Sequence, residues 1–467
     1  MKRKIYIFIM NVIKFYNREK ELELLQKPKP LVAIIYGRRR VGKTTLALKF
    51  CENKDFLYFF VNPKKTQTLL IEEYFDLLKS KISLEEYIRP KNWEEFLKIL
   101  FEKYKGIVVF DEFQWFLNIN QEVPFIIQKH LDTKKDLNII ILGSVIGMMK
   151  KLFLEEGSPF FKRANVIIKL EPFDYKTTFK ILNDTGIKNI EEKLKFYMVF
   201  GGVPHYYNLL LTYKIKNFEE AIKTLILQPN APLKNEVEEI FKESFGRDYK
   251  THLSILFAIG TGKTKLEEIS SFSSIKQTSI MPYIYDLRDL LEVIEERKYF
   301  GKTKKYYALK DNFFKFWFRY VYKNWNMLEI YWEKVFENVK NDINNYFGLA
   351  FKDFAREFLI ELSKKGELSF NKIEKFIGYY RENNERKRFE IDISCLDERK
   401  NEISFFEVKW KELRKEEAEN ILNEMERNTR AIQKNKKFGI IAKKVENKEE
   451  LRRKGYKIFD IKDFEKI

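Results

Sequence analysis

The segment Gly37-Arg38-Arg39-Arg40-Val41-Gly42-Lys43-Thr44 has the residue types and spacing to hold a row of phosphates. Two glycines let a backbone curl so that its N–H groups converge on phosphate oxygens at the start of a helix. At this spacing Lys43 reaches the β and γ phosphates, and Thr44, followed by Thr45, offers a hydroxyl to Mg2+. The alternative is a glycine-rich turn that binds nothing. A second piece is Ile107-Val108-Val109-Phe110-Asp111-Glu112, an apolar run ending in two acids. Asp111 would hold Mg2+ through water, and Glu112 would polarise the attacking water; an exposed acidic strand end is the alternative. Gly143-Ser144 closes a third apolar run, where Ser144 either sits near the γ-phosphate or ends a plain turn. Gly262-Lys263-Thr264 spells the same three letters, but Phe257 stands where the first glycine is needed and a helix precedes it, so it reads as a decoy. Arg163 is either a charge donor to a neighbouring copy, in a homo-oligomer, or a solvated side chain.

The elements that must position these groups read as follows. Apolar runs at residues 31–36, 56–61, 106–110, 138–142 and 165–170 predict strands, separated by helical patterns such as 71–80 and 93–104. Strand, helix, strand in repetition implies crossovers and a mostly parallel sheet covered on both faces. Residues 191–250 turn helical, broken by Gly201-Gly202-Val203-Pro204. At 251–310, helices at 251–259, 265–270 and 275–291 precede a basic hairpin, which predicts a winged helix-turn-helix. Its third helix would enter a major groove or, having only Lys276 and Arg288 as bases, touch protein. Aromatic, basic stretches at 310–322 and 325–332 predict either base-stacking surface or, at helical spacing, core. Further on, Phe389-Glu390-Ile391-Asp392 and Phe406-Glu407-Val408-Lys409 alternate as strands, placing Glu407 and Lys409 on one face and Glu390 and Asp392 on one face of the partner strand.

Composition narrows the classes. The 467 residues predict roughly three domains. Two cysteines and three isolated histidines exclude a disulfide framework and histidine-motif zinc chemistry, and point to a reducing cytoplasm. Lysine and arginine exceed the acids by 88 to 69, net +19, which suits phosphate polymers such as DNA, or equally an ion-paired surface adapted to heat. The start imitates a signal peptide, with Met1-Lys2-Arg3-Lys4 before an apolar run, but no small-residue cleavage site follows. Its apolar residues, about nine, fall short of a membrane span. A leader from an upstream start, or a first strand, is expected there, in a soluble protein with no membrane partner.

Taken in order, Asn17-Arg18-Glu19, Tyr36 to Thr45, Phe110-Asp111-Glu112-Phe113-Gln114, Gly143-Ser144 and Gly201-Gly202-Val203-Pro204 resemble the archaeal ATPases of the STAND branch of AAA-like P-loop proteins. The resemblance covers roughly the first 240 residues. It implies an α/β fold with an additional-strand, AAA-like parallel sheet, ATP and Mg2+ as ligands, Arg18 and Glu19 beside the adenine, and Pro204 in a nucleotide-facing lid. Val145 stands where the family shows a second serine. The pattern Asp392-x14-Glu407-x-Lys409 resembles restriction-endonuclease-like folds, in which carboxylates hold Mg2+ against a phosphodiester and the lysine positions water. Many relatives show Phe-Glu where this chain has Phe351-Lys352, so the helix acid of such a site would be Glu357 or Asp353. The alternative is a salt-bridged hairpin or a degenerate fold kept for binding. The expected division is a leader at 1–14, the P-loop core at 15–190, a helical lid at 191–250, the winged helix at 251–312, an aromatic bridge at 313–345 and a small endonuclease-like α/β domain at 346–467.

Overall fold

A computed structural model describes residues 14–465, apart from 86, 154, 383 and 384. The expected leader therefore lies outside the described residues, save its last position. The chain divides into two compact units. One comprises Met1–Thr177, Gly202–Lys214 and Ile284–Glu292, and the other holds Thr178–Gly201, Ile215–Tyr283 and Val293–Ile467.

The first unit is built on five strands, β1 (Val32–Tyr36), β2 (Phe56–Phe60), β3 (Ile107–Asp111), β4 (Asn138–Gly143) and β5 (Val166–Lys169). All pair in parallel, in the order β2-β3-β4-β1-β5, so β4 is inserted between β1 and β3. Every residue of β1 is buried, as expected of a central strand covered on both faces. Its alternation separates two cores. Ile34 and Tyr36 join Phe59, Tyr74, Trp93 and Phe110 on one side, and Ala33 and Ile35 join Leu46, Phe50, Val109 and Ile140 on the other. Helices α1 (Glu19–Gln26), α2 (Lys43–Cys51), α3 (Gln67–Lys79), α4 (Trp93–Lys103), α5 (Val123–Thr133) and α6 (Ile146–Phe153) complete the layers, with α7 (Pro204–Thr212). Side chains cap α3 and α4, where Thr66 accepts from Leu69 and Asn92 from Glu95. Helix α2 has Gly42 as its N-cap, with no side-chain cap bond and no acid in its first turn, so no side-chain charge there offsets the positive end of its dipole.

In the second unit, α8 (Tyr249–Gly260), α9 (Leu266–Ser273) and the start of α10 (Met281–Tyr285) precede the antiparallel hairpin of β6 (Ile294–Lys298) and β7 (Lys305–Leu309). The expected helix at 275–291 is shorter than its apolar pattern. It starts at Met281, and from Ile284 to Glu292 the chain belongs to the first unit, where Leu290 meets Gly147 and Glu292 bonds Lys150 and Lys169. Those partners occupy the end of the helix expected in a DNA groove. The aromatic stretch after it is core, since Phe313, Phe314, Phe316, Trp317, Phe318 and Val321 are all buried. Helix α11 (Trp332–Lys364) runs unbroken across the boundary expected at 345–346, with buried residues from Val335 to Val339 and again from Tyr346 to Leu362.

The C-terminal sheet has the order β12-β11-β10-β9-β8, from β8 (Lys372–Glu382), β9 (Glu385–Asp397), β10 (Glu402–Leu413), β11 (Asn435–Val445) and β12 (Lys457–Asp460). The first three are antiparallel, and β10, β11 and β12 run parallel. Helix α12 (Lys415–Asn428) makes the crossover from β10 to β11 and packs Leu422 and Met425 on Phe405 and Ile440.

Candidate functional site

The loop leaving β1 is shaped by three positive φ angles, at Gly37 (152°), Arg40 (69°) and Gly42 (96°). Gly37 cannot be replaced without cost, because a Cβ there would lie 2.3 Å from the Leu170 carbonyl oxygen. Val41 anchors the loop in the core beneath. Left-handed φ at a non-glycine residue stores strain. It occurs at Arg40 and again at Glu112 (56°), so both halves of the expected phosphate site carry it.

Lys43 is 5% exposed, and its Nζ donates to the carbonyls of Gly37 and Arg38, 2.9 Å each. Burial lowers its pKa, Glu112 and Asp111 pull it back up, and Arg39 pushes it down. The Thr44 hydroxyl donates to Asp111 Oδ2 at 2.6 Å, and the Tyr58 hydroxyl to the same oxygen at 2.7 Å. Asp111 is raised above the usual carboxylate range, first by burial and then by Glu112, against the bonds from Thr44 and Tyr58. Thr44 and Asp111 thus put two hard oxygen donors side by side, the chemistry Mg2+ takes. Glu112 Oε2 accepts from Ser144 Oγ and from Gln114 Nε2, both at 2.5 Å.

Three of these side chains had no expected role. Tyr58 lies in an aromatic strand, where a tyrosine reads as core. Gln114 left a signal, since a fully buried amide between Phe113 and Trp115 must find a polar partner. His205, beside the expected Pro204, is pushed down to about 4, first by burial and then by Arg40 and Arg39. Its neighbour Tyr206 accepts from Arg38 Nη2 at 3.0 Å. Thr45 follows Thr44 in the first turn of α2.

The remaining expected residues have the following partners. Arg18 is buried, donates to the Glu171 carbonyl at 2.6 Å and lies 4.5 Å from the Phe173 ring, whereas Glu19 is exposed. Arg163 grips Asp132 with two bonds of 2.6 and 2.9 Å within its own chain. Gly262-Lys263-Thr264 forms the turn between α8 and α9, where the Thr264 N–H is taken by Glu268.

In the C-terminal sheet, Asp392 accepts from Lys352 Nζ at 2.5 Å and from the Val408 N–H at 3.1 Å. Glu407 accepts from Lys409 at 2.7 Å. Burial and then Asp392 raise the Glu407 pKa, against the pull of Lys409. Neither expected helix acid joins them. Glu357 accepts from the Tyr197 hydroxyl, and Asp353 is held by Arg297 and Lys315 at 2.7 Å each. The helix residue at Asp392 is Lys352. Among the described residues, no three His, Cys, Asp or Glu side chains are grouped to hold a metal, and no helix is long and apolar enough to cross a membrane.

A parallel sheet with β4 between β1 and β3, a glycine-framed loop off β1 and an acid pair ending β3 define a P-loop ATPase fold of the additional-strand class. The chain belongs to a family of archaeal proteins that join this domain to a second, C-terminal one. Residues 15–210 match an ATPase domain predominantly from Archaea, and residues 317–421 match archaeal and bacterial proteins of unknown function. An uncharacterized protein of Methanocaldococcus jannaschii is 32% identical over 473 residues, covering 96% of this chain and all of the relative. An uncharacterized ATP-binding protein of the same organism is 32% identical over 152 residues, 31% of this chain and 34% of that protein. Among solved structures, the Aeropyrum pernix ORC2 protein in its ADPNP–ADP complexes aligns at a TM-score of 0.44 and 13% identity, over 72% of this chain and 98% of that one.

Proposed function

We propose that this protein binds ATP with Mg2+, hydrolyses it, and uses the cycle as a molecular switch of the STAND, AAA-like kind. The observation that carries this reading is the convergence of Lys43, Thr44, Asp111 and Glu112 at one end of the sheet, with Thr44 bonded to Asp111 and both carboxylates acting on the Lys43 charge. Lys43 exchanges its two carbonyl partners for the β and γ phosphates. Loop N–H groups and the uncapped start of α2 take the other phosphate oxygens. Thr44 and Asp111 would hold the magnesium ion, which supplies positive charge against the phosphates. Glu112, fixed by Ser144 and Gln114, accepts the proton of the water whose oxygen bonds to the γ-phosphorus as the bridging P–O bond breaks. The test is ATP turnover, with and without duplex DNA, in the wild type and in Lys43→Ala and Lys263→Ala. Lys43→Ala abolishes turnover and Lys263→Ala retains it; equal behaviour of the two would defeat the reading.

A second reading concerns the C-terminal domain. The bond from the Val408 N–H to Asp392, which sets that carboxylate beside the strand residues Glu407 and Lys409, favours a restriction-endonuclease-like site regulated by the nucleotide. Lys352 would have to leave Asp392 for a divalent ion to enter. Mg2+-dependent plasmid nicking that is lost in Asp392→Ala supports it, and no nicking under any nucleotide condition leaves a binding fold. We also read α8, α9, α10 and the β6–β7 hairpin as a winged helix whose hairpin turn, with Lys302 and Lys304, rather than its third helix, offers basic side chains to a partner. The unbonded, buried Cys51 and Cys395 fit a reducing cytoplasm.

A further inference from the structure

We infer that the β8–β9 ribbon and the turn of the β6–β7 hairpin together form a surface for B-form duplex DNA. This inference stands apart from the ATPase reading. Strand β9 pairs with β10 only from Ile393 to Asp397. From Phe376↔Ile391 to Glu382↔Glu385, therefore, β8 and β9 pair only with each other. Seven pairs make a two-stranded ribbon about 20 Å long.

The register sets Tyr379 opposite Arg388 and Arg381 opposite Arg386. Because faces alternate with period two, all four side chains share one face. Like charges directly opposite each other destabilise a sheet, so the Arg381–Arg386 pair has a cost that a bound polyanion would remove. Arg386 lies over the Tyr379 ring at 4.1 Å, and Tyr379 is 47% exposed. Arg388 is drawn to Glu390, which Lys375 also holds.

The hairpin turn adds to this face. Tyr299 bridges Lys375, the Phe300 N–H donates to the Lys375 carbonyl at 2.9 Å, and the Phe300 and Phe376 rings lie 5.5 Å apart. That junction brings Lys302 to 5.5 Å from the same Tyr379 ring, with exposed Lys304 two residues on. Two basic hairpins are thereby locked edge to edge around one aromatic ring.

The shape selects the ligand. A major groove about 12 Å wide admits a two-stranded ribbon, and arginine forks pair with phosphates or with guanine edges there. The deep, narrow major groove of A-form RNA does not admit one.

The test is fluorescence anisotropy of the full-length protein on a labelled DNA duplex across a salt series. Arg381→Ala/Arg386→Ala/Arg388→Ala is compared with Lys98→Ala/Lys103→Ala/Lys135→Ala, which removes the same charge from exposed positions of the first unit. The ribbon variant should lower the slope of log K against log salt by about 3 and weaken binding near 0.1 M salt by about 100-fold or more, while the control stays near wild type. Its fold should survive, since the substitutions relieve like-charge repulsion, and its melting temperature and ATP turnover check that. Lys302→Ala/Lys304→Ala, on the other hairpin, should lower the slope by about 2. Equal losses in ribbon and control variants, no wild-type binding, or equal affinity for duplex RNA of the same sequence would each overturn the inference.

Discussion

Replacing Lys43 by Met separates the stability of the phosphate loop from its binding function. Lys43 is nearly fully buried and its pKa is lowered, so folding disfavours its charge. For a base, a folded pKa below the unfolded one means the charged form destabilises the native state at neutral pH, a deficit that fades as pH rises through the lowered folded pKa and is gone once the ordinary lysine value is passed. Met keeps the length and removes that cost, but it strips the Gly37 and Arg38 carbonyls of a donor, at about 1 kcal/mol each. These opposing changes leave the free variant within about 2 kcal/mol of wild type. With ATP and Mg2+ at 100 times Kd, the wild type gains about 2.7 kcal/mol, or about 5–10 °C in Tm for a unit of this size. Loss of two charge-assisted bonds to phosphate, about 1.5–3 kcal/mol each, weakens binding at least 100-fold. At the same ATP concentration the variant then gains under about 0.5 kcal/mol, a shift of roughly 2 °C or less. Scanning fluorimetry with and without nucleotide reads both quantities, with Lys263→Met as control. A Lys43→Met protein that keeps the full shift, or that melts 10 °C or more lower without nucleotide, would refute the reasoning.

Other perturbations test the same loop and the second unit. Gly37→Ala forces a Cβ to 2.3 Å from a backbone oxygen and should cost several kcal/mol in urea unfolding, whereas Gly42→Ala, with nothing within 4 Å, meets only backbone strain of about 1 kcal/mol. Ser144→Ala with Gln114→Ala frees the Glu112 carboxylate and should lower kcat about 10–100-fold at unchanged KM; a KM effect alone would show that they serve binding instead. Asp353→Ala leaves Arg297 and Lys315 without their shared partner and should destabilise the second unit by about 3 kcal/mol. Burial alone would raise the Asp353 pKa, but Lys315 and Arg297 hold it well below the usual carboxylate range. A depressed folded pKa means this stabilisation is complete above about pH 4 and is lost as pH falls below it, so the wild-type advantage over the variant should shrink in acid unfolding below pH 4 and stay constant at neutral pH.

The inner strands of the first unit's sheet are legible in the sequence because a strand buried on both faces must be a nearly unbroken apolar run, as β1, β3 and β4 are, whereas the edge strands β2 and β5 alternate in burial and show only as short apolar stretches. The phosphate loop is legible because its geometry demands glycine at fixed places. What escaped depends on contacts across the fold. Tyr58 reaches Asp111 from the neighbouring strand, a partnership set by parallel register and not by any local pattern. The end of the expected groove-reading helix looks like any amphipathic stretch, and only Lys150, Lys169 and Gly147, more than a hundred residues earlier, give it another partner.

The C-terminal acids show the same limit in a form that helical geometry explains. The sequence offers Asp353 and Glu357 as a third ligand beside Asp392, and at a spacing of four they share one face of α11. Lys352 bonds Asp392, which fixes the face turned toward the carboxylates. At 100° per residue, Glu357 stands about 140° around the helix from Lys352, and Asp353 about 100°. Both acids therefore point away from Asp392, and each is taken by groups on its own side, Arg297 and Lys315 for one and the Tyr197 hydroxyl for the other. A lysine at 352 in place of an acid thus does more than delete a ligand. It supplies a cation that neutralises Asp392, and no rotamer change at Glu357 can reverse that. If Lys352→Glu restores an acid to this face, Mg2+ should bind the second unit more tightly than in the wild type, read as a larger metal-dependent rise in its melting temperature. A variant that shows no such rise would mean that Asp392 and Glu407 are held too far apart, or too firmly by Val408 and Lys409, to share an ion.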